Sequence, residues 1–231
     1  RSNQGDQGQT QSWGITHNMT VILFIRHGEN DYVKKGRLAG RLPGVHLNKK
    51  GQMQAQAVAD RLCKVPIKAV YSSPLERTME TAEPLAKALG LEVIQRPGLV
   101  EIDFGEWQDK KLKGLSRLKV WRRVQYTPSL VRFPGGETFG EAQARIVHEI
   151  QELSALHEPK DLIACVTHSD VIKLAVAYFI GLPLDMFQRL HVAPGSISAL
   201  ALDEGSSRLL TLNYEVTAFT EQPEEKKVDK N

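Results

Sequence analysis

The chain has 231 residues, 41% hydrophobic and 25% charged, an ordinary composition for a globular protein that can bury a substantial core. Its 30 lysines and arginines against 27 aspartates and glutamates leave a net charge of only +3, so no broad basic field argues for nucleic acid as a partner. No apolar run reaches the length of about 18 residues that suggests a membrane span, and the widely separated Cys63 and Cys165 fit neither a disulfide framework nor a metal cluster, so a protein of the reducing cytoplasm with no membrane partner is expected.

Residues 1–18, rich in Gln, Gly, Ser and Asn without apolar period, read as a flexible leader, with Met19 a candidate start. Thr20 to Ile25 (TVILFI) reads as a buried strand, Lys49 to Leu62 as a helix and Lys68 to Tyr71 as a second strand. Ser73 and Pro74 carry the signature of a helix start, leading into Leu75 to Leu89 with Gly90 as the stop. Pro84 is expected to kink or split that helix.

Glu92 to Gln95 reads as a short strand, Leu112 to Tyr126 as a helix, and Thr138 to His157 as a longer helix after a Pro-Gly-Gly turn. Asp161 to Thr167 (DLIACVT) is a further buried strand, followed by an apolar helix from Asp170 to Ile180 that ends at Gly181. Ser196 to Leu202 and Arg208 to Leu212 flank Glu204-Gly205-Ser206 as a terminal hairpin, and residues 217–231 read as a solvated tail. Strands alternating with helices predict an α/β fold of three layers, α/β/α, with a mainly parallel sheet and active residues at strand C-terminal ends. Residues 19–216 are expected to form one domain, with about 104–140 inserted as a small helical lid.

Two of these strands run into histidine, the first at Arg26-His27-Gly28-Glu29 and the later at Thr167-His168-Ser169-Asp170. In an open parallel sheet both ends face one crevice, which brings distant imidazoles side by side. Arg26 adjoins the first histidine, and Arg77 falls on the first turn of the helix after the second strand. Arginine presents a planar, permanently charged fork that matches phosphate oxygens, although Arg77 can equally pair with Glu76 or Glu80 along its helix. A metal site of His27, His168 and Asp170 is a weaker alternative, since the clustered carboxylates of a two-metal site and an HExxH helix are both absent. Neither a P-loop nor a G-x-S-x-G elbow occurs.

With these blocks in order, the sequence resembles the histidine phosphatase superfamily, also called phosphoglycerate mutase-like, and within it a bacterial phosphatase or phosphomutase-like branch. The blocks are RHGE at Arg26, SSPLERTMETA at Ser72 to Ala82, EIDFGEW at Glu101 to Trp107, PGGE at Pro134 to Glu137, and His168 after a strand, within Thr20 to Leu212. The resemblance implies His27 as a nucleophile forming phosphohistidine, with Arg26, Arg77 and His168 binding phosphoryl oxygens and Glu101 as general acid. Asp103, Glu106 and Asp109 are neighbouring candidates for that acid. A bound phosphate would favour the protonated form of His168.

Three positions depart from the family pattern: Asn30-Asp31-Tyr32-Val33 after the RHGE block, Ala39 where Gln is frequent, and Ser169 where Gly is common. Asn30, Arg37 and Ser169 are therefore candidate substrate contacts, with Arg41 a further compensating cation. Trp107 is expected in the core, while Trp121, Phe133, Arg122 and Arg123 are open between core and pocket wall. The expectation is an enzyme acting on a small phosphorylated metabolite without metal or cofactor. Hydrolysis is favoured over phosphomutase chemistry by the modest lid, and a non-catalytic phosphate-binding module is the third reading. Dimerisation through a helix-rich surface stays open.

Overall fold

The computed structural model describes residues 19–203 and 205–216; the expected leader, the tail and Glu204 lie outside the described residues. Six strands form one sheet in the order β3-β2-β4-β1-β5-β6. They are β1 (Thr20–Arg26), β2 (Ile67–Ser72), β3 (Val93–Gln95), β4 (Leu162–Thr167), β5 (Ser196–Leu202) and β6 (Ser207–Glu215). β1, β2, β3 and β4 run parallel, while β5 and β6 add an antiparallel edge.

The uninterrupted apolar character of β1 follows from burial on both faces. Ile22 and Phe24 join a core with α6 (Phe139–Ala155) and α7 (Ser169–Phe179), whereas Val21, Leu23 and Ile25 join a second core with α2 (Lys49–Leu62) and α3 (Glu76–Leu89). Helices thus cover both sides of a mixed, mainly parallel sheet. A short helix, α1 (Asp31–Lys34), follows β1. Thr138 caps α6 through a capping box with Glu141, two reciprocal bonds that fix where the helix begins.

Three local expectations are corrected. Helix α3 starts at Glu76 with Leu75 at its cap, because Ser73 and Pro74 belong to the turn that leaves β2. Pro84 neither splits nor ends α3, which continues to Leu89; burial of Thr81, Ala82, Leu85 and Ala86 offsets the hydrogen bond that proline forgoes. The stretch expected as one helix over 112–126 is two, α4 (Leu112–Leu115) and α5 (Lys119–Tyr126). At about 100° per residue a single straight helix would put Leu115 and Val124 on opposite faces. The turn at 116–118 lets both bury against the same core.

Gly28 and Gly51 let the loop after β1 lie directly on the first turn of α2. A Cβ on Gly28 would sit 2.5 Å from the Gly51 carbonyl oxygen, and one on Gly51 would run into that of Glu29. Gly51→Ala is expected to cost about 1–3 kcal/mol in urea unfolding, because only backbone can yield there. A loss below a few tenths would show that the contact is slack.

Candidate functional site

Register builds the site. Arg26 of β1 is the partner of Thr167 in β4, so the next residue of each strand, His27 and His168, emerges side by side. Their ring centroids are 5.3 Å apart, and the His27 amide donates to the Thr167 carbonyl at 3.0 Å. Both histidines are buried.

The His27 Nδ1 lies 2.8 Å from the Gly28 carbonyl oxygen. A carbonyl only accepts, so Nδ1 carries the proton and Nε2 keeps a free lone pair. Burial, then the Arg77 and Arg26 charges, push this imidazole well below its ordinary pKa, against the opposing pull of the Gly28 carbonyl. The ring is therefore neutral at physiological pH and carries a nucleophilic nitrogen.

His168 holds the opposite tautomer. Its Nδ1 accepts from the Arg77 guanidinium at 3.3 Å, and its Nε2 donates to the Ser73 hydroxyl at 2.9 Å. Burial, then Arg77, His27 and Arg26, favour its neutral form. The protein surroundings alone thus oppose the cation expected for His168; an anion beside it would act the other way. Ser73, which reads in the sequence as a helix cap, is instead the residue that orients this ring.

Arg77 is fully buried. One Nη2 bonds the Gly40 carbonyl at 2.8 Å and reaches His168, while Nε and Nη1 have no hydrogen-bond partner. It makes no ion pair with Glu76 or Glu80, whose carboxylates turn to the Gly44 amide and to His46. Arg26 donates to the Val192 carbonyl at 2.6 Å and also leaves its Nε unpartnered. Desolvation lowers the pKa of both arginines, but a guanidinium stays charged. Unsatisfied N–H groups on these two charged, buried side chains lie beside His27 as a cradle suited to receive an anion.

Glu101 is the acid that reaches this cradle, with Oε2 3.8 Å from His168 Nδ1. Burial and the nearby Asp170 charge push its carboxyl up to about 7, against Arg77, the Ile102 amide and Arg26. Of the alternatives, Glu106 and Asp109 are exposed and Asp103 bonds the Gly105 amide; none of them lines the cleft. Glu101 is held from behind by a network the sequence did not announce. Glu137 of the Pro-Gly-Gly-Glu block accepts from Arg41, Arg145 and the Asp103 amide at 2.8–2.9 Å. Arg41 also grips the Glu101 carbonyl, and Arg145 those of Gly98 and Val100.

The three candidate substrate contacts differ in their surroundings. Asn30 is fully buried at the cleft wall; its Oδ1 caps α1 by accepting from Val33, leaving Nδ2 without a partner. Ser169 lines the cleft, with its hydroxyl on the Val192 carbonyl at a long 3.4 Å. Arg37 lines it too; its Nη2 pairs with Asp109 at 2.5 Å, and its buried Nε has no hydrogen-bond partner. Arg41 likewise serves Glu137 rather than the cleft.

The cleft holds about 290 Å³. Trp107, buried as expected, also forms its wall together with Trp121 and Phe133, whereas Arg122 and Arg123 are exposed and do not line it. Among the described residues, no group of three or more His, Cys, Asp or Glu side chains is placed to hold a metal ion. No helix among them is long and apolar enough to cross a membrane.

A sequence profile of the histidine phosphatase superfamily, branch 1, matches residues 22–215. The chain is 28% identical over 197 residues to phosphoserine phosphatase 1 of Hydrogenobacter thermophilus, spanning 84% of this chain and 92% of that protein. It is also 28% identical over 198 residues, with the same coverage of 84% and 92%, to a 2,3-bisphosphoglycerate-dependent phosphoglycerate mutase of Thermoplasma acidophilum. Among solved structures, a mycobacterial glucosyl-3-phosphoglycerate phosphatase superposes with a TM-score of 0.77 at 26% identity, over 84% of this chain and 99% of that one.

Proposed function

The chain belongs to the histidine phosphatase superfamily, branch 1, and from that premise we propose that it is a phosphomonoesterase working through a phosphohistidine at His27, on a small phosphorylated metabolite and without metal or cofactor. The observation that carries this reading is the His27 tautomer: Nδ1–H is tied to Gly28, so Nε2 is the atom that can attack. It lies beside two arginines with uncommitted N–H groups.

In the proposed cycle Nε2 forms a bond to phosphorus as the bond from phosphorus to the leaving oxygen breaks. Arg26 and Arg77 hold the equatorial oxygens; as the dianion enters, the Arg77 N–H turns from His168 Nδ1 to a phosphoryl oxygen, and Nδ1 takes up a proton from solvent and completes the cradle. Glu101 gives its proton to the departing alkoxide. Water then attacks the phosphohistidine, returning a proton to Glu101 as the phosphorus to nitrogen bond breaks. A carboxyl raised to about 7 is suited to both roles near neutrality.

A phosphomutase would use the same groups and is the second reading, favoured by the likeness to the phosphoglycerate mutase. Hydrolysis is supported by the cap's two short helices, α4 and α5, which make a modest cover against water. The test is a panel of sugar and glycerate phosphates in which free phosphate, positional isomers and acid-labile phosphoprotein are followed together. Phosphate release with labelled His27 supports the hydrolase; isomer exchange without release replaces it by the mutase. Absence of all three sinks both.

Glu101→Gln is expected to lower kcat/KM for alkyl phosphates about 100-fold and to spare aryl phosphates, whose leaving groups need no proton. Its stability effect has a defined sign. Because the folded pKa of about 7 lies above the ordinary 4.5, the wild-type carboxyl loses folding stability as pH rises through that window. The glutamine variant should be more stable above pH 7 by on the order of 2–3 kcal/mol, with no gain at pH 4. Equal losses on alkyl and aryl esters would remove Glu101 from the acid role.

A further inference from the structure

Away from the anion cradle, the cleft changes character. The cap side is built from Phe104, Trp107, Leu112, Trp121, Val124 and Phe133. Trp107 and Trp121 are stacked, their centroids 6.3 Å apart and planes 21° from parallel. Phe104, Trp107, Val124 and Phe133 are also members of the core, so this wall is rigid rather than a surface that folds away.

Charge on the cleft wall is accounted for. Its cations among the described residues are Arg26, Arg37 and Arg77. Arg26 and Arg77 flank His27, and the charge of Arg37 is paired through Nη2 with the Asp109 carboxylate at 2.5 Å and its carbonyl at 2.7 Å, while its Nε has no hydrogen-bond partner. Beyond the cradle, the one lining cation already has its charge paired with a carboxylate, so a carboxylate or second phosphate on the substrate would have to compete with Asp109 for it. Apart from the acids Glu101 and Asp170, the remaining polar lining is neutral: His27, Asn30, Tyr32, Gln125, Ser169 and Gln188. A volume of about 290 Å³ sits at the small end of small-molecule sites, enough for a phosphate and a single ring or short chain.

We propose that the alcohol portion of the substrate is uncharged and apolar, of the size of one aromatic ring, and that it seats against the Trp107 and Trp121 wall while its phosphate enters the Arg26 and Arg77 cradle. This rests on the phosphomonoesterase reading and adds to it a substrate class unlike phosphoserine or phosphoglycerate, whose carboxylates would face the aromatic cap and compete with Asp109 for the already paired Arg37. Burying a carboxylate there is penalised, whereas burying a ring is rewarded.

The test is a substrate series on the unaltered protein: ethyl phosphate, 2-phenylethyl phosphate, O-phosphoserine and 3-phosphoglycerate, each followed by phosphate release and by acid-labile label on His27. The expected result is a kcat/KM for 2-phenylethyl phosphate about 10–100-fold above ethyl phosphate, with both carboxylate-bearing esters at or below ethyl phosphate. If either of those is preferred over 2-phenylethyl phosphate while His27 is still labelled, the inference is overturned and the phosphatase reading stands. If no ester labels His27 or releases phosphate, the phosphatase reading itself has failed. As a second arm, Trp121→Ala, at a half-buried position, should cost 2-phenylethyl phosphate about tenfold more than ethyl phosphate; equal losses on the two would overturn the proposed seat.

Discussion

His27→Ala is expected to lower phosphomonoester turnover by about 10⁴-fold or more and to abolish acid-labile phosphate on the protein. Removing the nucleophile leaves no substitute, although a second imidazole stands only 5.3 Å away. The His168 Nε2 is committed to Ser73 and its Nδ1 faces Arg77, so neither nitrogen can present a free lone pair to phosphorus. The loss should be chemical rather than structural. The neutral His27 ring makes one side-chain hydrogen bond, to Gly28, so the stability cost should stay within about 1–2 kcal/mol, measured by thermal unfolding. Full turnover by a folded His27→Ala protein would end the phosphohistidine mechanism.

Much of this architecture is legible in the sequence because its strands are buried on both faces. TVILFI and LIACVT read as unbroken apolar runs, and each stops at a histidine. Once a parallel sheet is inferred, the pairing of Arg26 with Thr167 follows the same logic, and so does the meeting of His27 and His168. The helix pattern over 112–126 misleads for a physical reason: local apolar spacing says nothing about which core each turn must reach, and Leu115 and Val124 reach the same one only through a break. Pro84 misleads because packing on α2 and the sheet outweighs its lost bond.

The site was less legible where one residue type serves two physical ends. A serine before proline is a good helix cap, and the same hydroxyl is a good partner for an imidazole; only the fold decides that Ser73 turns to His168. Arg37 reads as a candidate substrate contact, and only the fold shows that Asp109, far along the chain, pairs with its charge. Glu137 stands out only as part of the Pro-Gly-Gly-Glu block, and Arg145 not at all, yet they fix the backbone around Glu101. Asp170, read in sequence only as an alternative metal ligand, helps hold the Glu101 proton.

Arg77→Met is expected to separate activity from stability. The guanidinium is about as buried as a core leucine, yet two of its nitrogens have no partner, and its pKa is lowered chiefly by desolvation, with Glu101 and Glu76 offsetting part of that. A structural arginine would have those donors satisfied. Methionine fills similar space without charge, so folding should lose the Gly40 hydrogen bond, worth about 1 kcal/mol, and be relieved of the larger cost of a half-paired buried cation. The net expectation is unchanged or higher stability, by up to about 2 kcal/mol, together with a fall in kcat/KM of about 10³-fold from the missing charge on the transferring phosphoryl group. Arg77→Lys should recover only part of that loss, because a point charge lacks the two-point fork. The same change removes the largest charge acting against protonation of His27 and His168, so both imidazoles should titrate closer to the ordinary range in NMR. If Arg77→Met instead unfolded easily while its folded fraction kept normal turnover, the cation would be holding the fold together and the cradle around His27 would need another source of charge.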